Sequence, residues 1–143
     1  MSTIDVIENK ITYLVKHLTQ ASQFSDVSVA DLQKDVILRG AVERELYVIA
    51  QATIDLAEAV VAYKHLRKPT TMREAFDVLA ENRILTTDFV ERFVGIVGFR
   101  NALAHDYEDL RLEVLVNVLQ QKLSEVKEFI VFLQERFGIG QIE

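Results

Sequence analysis

The stretch LEVLVNVLQQKLSEVKEFIVFLQERF, residues 112–137, carries an uninterrupted helical pattern. Its apolar residues recur at alternating intervals of four and three positions, which places them on one face of an α-helix. They are Leu112, Val116, Leu119, Leu123, Val126, Ile130, Leu133 and Phe137. Gly138 follows directly and is typical of a helix C-terminus. The stretch therefore predicts an amphipathic helix from about Asp109 to Gly138, which other helices must cover.

Four further helical segments precede this one in the chain. They cover approximately residues 4–18, 28–66, 71–81 and 88–104. Ser28 is a plausible N-cap of the second segment, and Thr71 has the capping-box spacing to Glu74 in the third. Thr86 or Thr87 can cap the fourth. The order of segments predicts an all-α protein, a four-to-five-helix up-and-down bundle.

The second segment is too long for a compact bundle of this size. At 1.5 Å per residue it would extend for about 58 Å. The radius of gyration of a compact chain of 143 residues is only about 14–15 Å. We therefore expect the helix to break, near Gly40, unless the molecule is elongated.

Composition sets limits on the class of protein. Half of the 143 residues are hydrophobic, with one proline, five glycines and no cysteine. This length and content predict one domain over residues 1–143 with its own core. Without cysteine, disulfides, thiolate nucleophiles and cysteine-ligated metals are excluded, which fits a cytoplasmic protein.

Charge and hydropathy argue against two classes of partner. The formal net charge is −6, so non-specific binding to nucleic acid or to an anionic membrane is disfavoured. The N-terminus lacks the basic region and apolar run of a signal peptide. No wholly apolar run approaches the roughly 18 residues that span a bilayer. Any nucleic-acid site must therefore be a local basic pocket, and no membrane partner is expected.

The fourth segment is apolar around an unusually large part of its circumference. On a helical wheel its apolar residues cover about 220°, well above the stripe of an ordinary surface helix. They are Phe89, Val90, Phe93, Val94, Ile96, Val97 and Phe99. The subunit's own core can cover one side, and a second copy of the chain is the natural cover for the other. The pattern predicts a homodimer with this helix at the interface.

Polar residues interrupt that apolar arc towards its end. Arg100 and Asn101 fall inside it, where a polar group is costly unless it is hydrogen-bonded or functional. His105 follows Asn101 by four residues, so the two share a face if the helix persists. Arg100 and His105 lie about 140° apart on the helix. They can converge if the helix ends at Ala104, or if two chains present them across a two-fold axis.

These residues lie in a run, GFRNALAHDY at 98–107, that resembles the signature of HEPN domains. More narrowly, it is similar to the HepT-type (DUF86) ribonuclease toxins, which are encoded beside a minimal nucleotidyltransferase antitoxin. The family pattern is Arg, a polar residue, three further positions, His, any residue and Tyr; Arg100, Asn101, His105 and Tyr107 match it. The stretches 69–76 and 83–85 also resemble the third helix of the family and the turn after it.

The resemblance implies a helical bundle that dimerises around a cleft and cleaves RNA without a metal ion or cofactor. It assigns catalysis to Arg100 and His105 and a supporting role to Asn101. It also makes Tyr107 the residue that the partner nucleotidyltransferase modifies with AMP to silence the toxin. The residue types suit this chemistry, since histidine transfers protons near neutral pH and arginine stabilises a developing phosphorane.

Two other interpretations stay open at this stage. Arg100, Asn101 and His105 could simply be dipole-compatible residues at a helix C-terminus, and Tyr107 could be a packing tyrosine. The same pocket could also belong to a non-catalytic module that binds nucleotide or docks a nucleotidyltransferase. The retained His105 favours catalysis, because phosphate binding alone would need only Arg100. The chain has no P-loop, dinucleotide-binding glycine motif or nucleophile elbow.

Overall fold

The computed structural model describes residues 3–105 and 110–139, and its regular secondary structure there is entirely helical. Eight α-helices follow one another in this part of the chain. They are α1 (Ile4–Ala21), α2 (Val29–Lys34), α3 (Val36–Tyr63), α4 (Met72–Glu81), α5 (Thr87–Phe93), α6 (Gly95–His105), α7 (Leu112–Asn117) and α8 (Leu123–Phe137). The predicted all-α class is confirmed.

Helix α3 is the central helix of the bundle. It packs against α1, α2, α4 and α6, and its residues from Ile49 to Val61 supply much of the main core. Its length and composition would also suit a membrane span, and no other helix in the described ranges shares that property. Most of its apolar surface is buried inside the fold, as expected for the core helix of a helical bundle.

The long second segment breaks at Asp35, so the expected break near Gly40 is wrong. Asp35 has an extended backbone (φ −130°, ψ 95°), and its carboxylate accepts hydrogen bonds from the backbone N–H groups of Ile37 (3.1 Å) and Leu38 (3.0 Å). A carboxylate in this position caps a new helix and attracts its positive end. Gly40 lies inside α3, where an added Cβ would meet open space.

The fourth segment is also interrupted. Thr86 caps α5, accepting a hydrogen bond from the N–H of Phe89 (3.1 Å), and α5 ends at Phe93. A tighter turn follows, in which the N–H of Val97 donates to the carbonyl of Val94 (3.1 Å). Helix α6 thus leaves at a different angular register from the straight helix of the sequence prediction. Phe89 and Phe93 are buried in the main core, Ile96 and Val97 pack against it partly buried, and Leu103 lies in a second, smaller cluster.

The C-terminal segment serves two cores through a change of register. Leu115 of α7 and Leu119 pack in a small cluster with Leu103 of α6. Phe129 and Leu133 of α8 pack instead in the main core. A π turn at Val118–Lys122 separates α7 from α8; its extra residue rotates the buried face between the two clusters. Gly138 ends α8 with φ 64°, as predicted.

Candidate active site

The motif lies on α6, and α6 continues through His105. The sequence left two ways to bring Arg100 and His105 together. The first, an end to the helix at Ala104, does not occur in this structure. Five residues along a continuous helix separate two side chains by about 140° and about 7.5 Å of rise. Within one subunit, these two side chains face different directions.

Helix α6 is poorly covered by its own subunit. Leu103 is its one buried residue, and it packs in the small cluster beside α2, α3 and α7. Ile96, Val97 and Phe99 are only partly buried. Gly98 is exposed, and an added Cβ there would meet nothing within 4 Å. The exposed positions of the motif helix are thus the small residues Gly95 and Gly98 and, at its end, His105.

Arg100 is held across the surface of α3 by three contacts. Its Nε donates a hydrogen bond to Gln51 Oε1 (2.6 Å), and its Nη1 donates to Asn101 Oδ1 (3.0 Å). The guanidinium carbon lies 5.7 Å from the centre of the Tyr47 ring, within the range of a cation–π contact. These contacts provide hydrogen-bond acceptors for two nitrogens of the guanidinium, which the sequence pattern placed on an apolar face.

Gln51 is the functional candidate that sequence reasoning missed. It lies 49 positions before Arg100, within an apolar helix whose periodicity gives no hint of a partner on α6. Its Nε2 donates to Asp55 Oδ1 (2.9 Å), one turn further along α3. Only the packing of α6 on α3 brings these groups together.

Asn101 and His105 share a face of α6, as predicted, but their surroundings differ. The Asn101 side-chain oxygen is engaged with Arg100, while His105 is exposed as the last residue of the helix. An exposed imidazole at a helix C-terminus is accessible to a substrate from outside the subunit. Tyr107, with Asp106, lies outside the described residues, so its position is not part of the site geometry.

The other two histidines have local roles. His17 Nδ1 lies 2.6 Å from Glu45 Oε1 and joins α1 to α3, while His65 adopts a positive φ of 54° in the turn after α3. Within residues 3–105 and 110–139, no group of three or more His, Asp or Glu side chains is arranged to hold a metal ion.

The surface around Arg100 carries charges of both signs. Arg44 is exposed on α3, two turns before Gln51 and on the same face. On the other side, burial raises the pKa of Glu58 above its usual 4.5, and the charge of Asp55 acts in the same direction, while Lys10 opposes it. The exposed face of α3 near Gln51 thus carries Arg44 on one side and the acidic Asp55 and Glu58 on the other.

An apolar cavity beside α6 does not contain the motif. It has a volume of about 260 Å³ and lies between α3, α6 and α8, where Ile96 and Phe99 form part of its wall. Arg100, Asn101 and His105 do not line it. Arg100 and Asn101 are instead partly buried outside this cavity, and His105 is exposed.

Known proteins are similar to this chain in both sequence and fold. A family model described as "Ribonuclease HepT-like" matches residues 14–133. The mRNA nuclease HepT of Shewanella oneidensis is 31% identical over 127 residues, covering 88% of this chain and 94% of that protein. The tRNA nuclease HepT of Aphanizomenon flos-aquae is 29% identical over 105 residues, covering 73% and 71%.

A solved structure extends the likeness to three dimensions. The tri-AMPylated Shewanella oneidensis HEPN toxin in complex with its MNT antitoxin superposes with a TM-score of 0.82 at 28% identity. The match covers 92% of this chain and 98% of that one. Together with the family model, which spans well over half of the sequence, these matches confirm the resemblance carried by residues 98–107. The chain belongs to the HepT-like ribonuclease family, with the HEPN fold.

Proposed function

We propose that this chain is the ribonuclease toxin of a toxin–antitoxin pair and acts as one domain, residues 1–143, on RNA in the cytoplasm. The observation that carries the proposal is the state of Arg100. Its guanidinium is held in place by Gln51 and Asn101, on a helix whose outer face is largely uncovered. A fixed arginine and an accessible histidine on the same helix are the residue types that suit the binding and cleavage of a phosphodiester.

The active unit is a homodimer formed through α6. Because α6 stays helical through His105, one subunit turns Arg100 and His105 in different directions. Two copies of α6 related by a two-fold axis would each contribute both residues to a shared groove. Exposed Gly98 and the small residues Ala102 and Ala104 would allow the two helices to approach closely.

The chemistry is attack by the RNA's own 2′-hydroxyl and needs no metal ion or cofactor. One His105 takes the 2′-hydroxyl proton while the 2′ oxygen bonds to phosphorus, and an acid returns a proton to the departing 5′ oxygen. Arg100 stabilises the negative charge on the phosphorane. The P–O5′ bond breaks, leaving a 2′,3′-cyclic phosphate and a 5′-hydroxyl.

A cognate minimal nucleotidyltransferase is the proposed antitoxin. The similar Shewanella oneidensis toxin is described as tri-AMPylated and in complex with an MNT antitoxin. In this chain the equivalent modification would fall on Tyr107, two residues after His105. A phosphate and a bulky base there would repel and block substrate phosphate. If the AMP-modified chain cut RNA as fast as the unmodified chain, this part of the proposal would be contradicted.

Growth and cleavage assays test the proposed activity. Expression of the wild-type chain should arrest a bacterial host, whereas Arg100→Ala and His105→Ala should not. Arg73→Ala and His65→Ala, changes of the same type at exposed positions on α4 and in the turn after α3, should remain toxic. Purified protein should cut RNA in the presence of a metal chelator and leave cyclic-phosphate ends.

The same assays distinguish the non-catalytic alternative. If all five chains are harmless and the purified wild type binds a nucleotide but cuts no RNA, the protein is a docking or nucleotide-binding subunit. Activity that a chelator abolishes would contradict the metal-independent mechanism. Intact His105 favours catalysis over phosphate binding, since a histidine is not needed for binding alone.

A further inference from the structure

The contacts of Arg100 point to a second residue on which its proposed role depends. We infer that Gln51, oriented by Asp55, is a positioning residue that holds the Arg100 guanidinium ready for a phosphate without neutralising its charge. The inference rests on the proposed function of Arg100. It is drawn from the hydrogen-bonded series Asp55–Gln51–Arg100–Asn101, which joins α3 to α6.

The orientation of the Gln51 amide is fixed by the chemistry of its neighbours. An arginine side chain can only donate hydrogen bonds, and an ionised carboxylate can only accept them. The Gln51 oxygen must therefore face Arg100 Nε (2.6 Å), and its NH₂ must face Asp55 Oδ1 (2.9 Å). Reversing the amide would lose both hydrogen bonds, so Asp55 locks the acceptor towards Arg100.

A neutral acceptor is the significant feature of this arrangement. A carboxylate at position 51 would form an ion pair with Arg100 and compete with any phosphate for the guanidinium. An amide oxygen holds the same Nε–H and leaves the positive charge of Arg100 undiminished. The negative charge of Asp55 is kept one side chain away, where it orients Gln51 and makes no direct contact with the guanidinium in the described series.

The contacts also leave one edge of the guanidinium open. Gln51 engages Nε, Asn101 engages Nη1, and the Tyr47 ring lies 5.7 Å from the guanidinium carbon. Nη2 makes no hydrogen bond within the described ranges. Two N–H groups of Nη2 and the second N–H of Nη1 can therefore meet phosphate oxygens with no rearrangement of the side chain, which is the advantage of a preorganised donor.

Two substitutions of similar size separate positioning from charge. Gln51→Met removes the hydrogen bond and leaves Arg100 charged but less restrained. Gln51→Glu keeps an acceptor and adds the neutralising charge. The control is Gln33→Glu, the same chemical change at an exposed position on α2. Each chain is assayed for cleavage of a short RNA and for binding of the all-deoxy oligonucleotide of the same sequence, which lacks the 2′-hydroxyl; thermal unfolding verifies the fold.

The two variants should affect different kinetic constants. Gln51→Met should lower kcat at least about tenfold, with a smaller change in KM, because a mispositioned donor fails mainly in the transition state. Gln51→Glu should also weaken binding of the deoxy oligonucleotide at least about tenfold. Gln33→Glu should match the wild type within about twofold. A purely structural role would lower thermal stability without this division between kcat and affinity.

The outcomes separate this inference from the proposed function. If the wild type cleaves RNA and both Gln51 variants match it, the inference fails and the proposed function stands. If the wild type binds the deoxy oligonucleotide but never cleaves RNA, the proposed function fails. The affinity of Gln51→Glu then decides the inference, and an unchanged affinity overturns it. If the wild type neither cleaves nor binds, both fail.

Discussion

Arg100 illustrates what a sequence reveals at the level of a single residue and what it leaves out. Its place in a family motif predicts a functional role, and the cost of a polar group on an apolar face predicts partners. The structure supplies those partners as Gln51, Asn101 and Tyr47. The contact with Asn101 could be anticipated because Asn101 is next to Arg100 in the sequence, although the helical pattern placed it on the same face as His105. Gln51 could not, because its contact depends on how α6 crosses α3.

Glu58 offers a residue-scale prediction about stability and pH. Burial and the neighbouring Asp55 raise its pKa above 4.5, so the folded state binds this proton more tightly than the unfolded state does. Ionised Glu58 therefore lowers stability above its folded pKa, and the loss disappears as pH falls through that value. Glu58→Gln should stabilise the protein at pH 7, by less than about 0.5 kcal/mol because the site is exposed to solvent.

The pH dependence of that gain is the measurement. Urea unfolding of wild type and Glu58→Gln should differ at pH 7 and converge below about pH 4, where the wild-type carboxyl is protonated. Glu135→Gln, at an exposed position on α8, controls for the general effect of removing one negative charge, and the Glu58 variant should gain more. A loss of stability at pH 7, or a gain that persists unchanged at pH 3.5, would contradict the prediction.

At the scale of helices, the sequence predicted several helix ends correctly, but it did not predict the interruptions within the long helical segments. Ser28, Thr86 and Gly138 end or begin helices as predicted, because capping is a local interaction between residues close in sequence. The breaks at Asp35 and Val94 and the π turn at Val118–Lys122 interrupt segments whose periodicity is continuous, although the Asp35 cap is itself a local interaction. The π turn lies where the chain passes from the small cluster to the main core, and periodicity within one segment carries no information about that change.

Helix α3 gives a prediction about which residue causes the break in the long second segment. Asp35→Ala removes the acceptor for two backbone N–H groups at the start of α3 and should lower the free energy of unfolding by about 0.5–2 kcal/mol. Gly40→Ala, inside α3 with open space for a Cβ, should raise it by about 0.5–1 kcal/mol. Urea unfolding with far-ultraviolet circular dichroism measures both.

Opposite signs at these two positions are the critical result. Asp26→Ala, a loss of an exposed carboxylate in the turn before α2, is the matched control and should change stability by less than about 0.5 kcal/mol. If Gly40→Ala destabilised the protein and Asp35→Ala did not, α3 would begin at Gly40 after all, and the sequence-based expectation would be restored.

For the whole molecule, the sequence predicted the fold class and the family, while the expectation that a second copy covers the motif segment stays a prediction. Those predictions depend on patterns within single segments. Phe89 and Phe93, two members of the apolar arc, lie in the main core of the subunit. The division of the core into two clusters was not predictable. Leu103, Leu115 and Leu119 join Leu32, Val42 and Leu46 in the smaller one, and their association depends on several helices meeting in space. This cluster anchors α6 by one side and leaves its other side outward.

The outward side of α6 leads to the prediction that concerns assembly. Gly98 is exposed, and an added side chain would meet nothing within 4 Å in the subunit. Gly98→Gln should therefore leave the subunit folded, with about 0.5–1 kcal/mol of gained helix propensity. If two α6 helices pack closely, the same side chain should separate them and abolish cleavage.

Sedimentation equilibrium at tens of micromolar should show a wild-type dimer and a Gly98→Gln monomer. Ala30→Gln, adding bulk at an exposed position on α2, should remain dimeric. A monomeric wild type, or a Gly98→Gln dimer with full activity, would mean that the active site does not lie between two copies of α6.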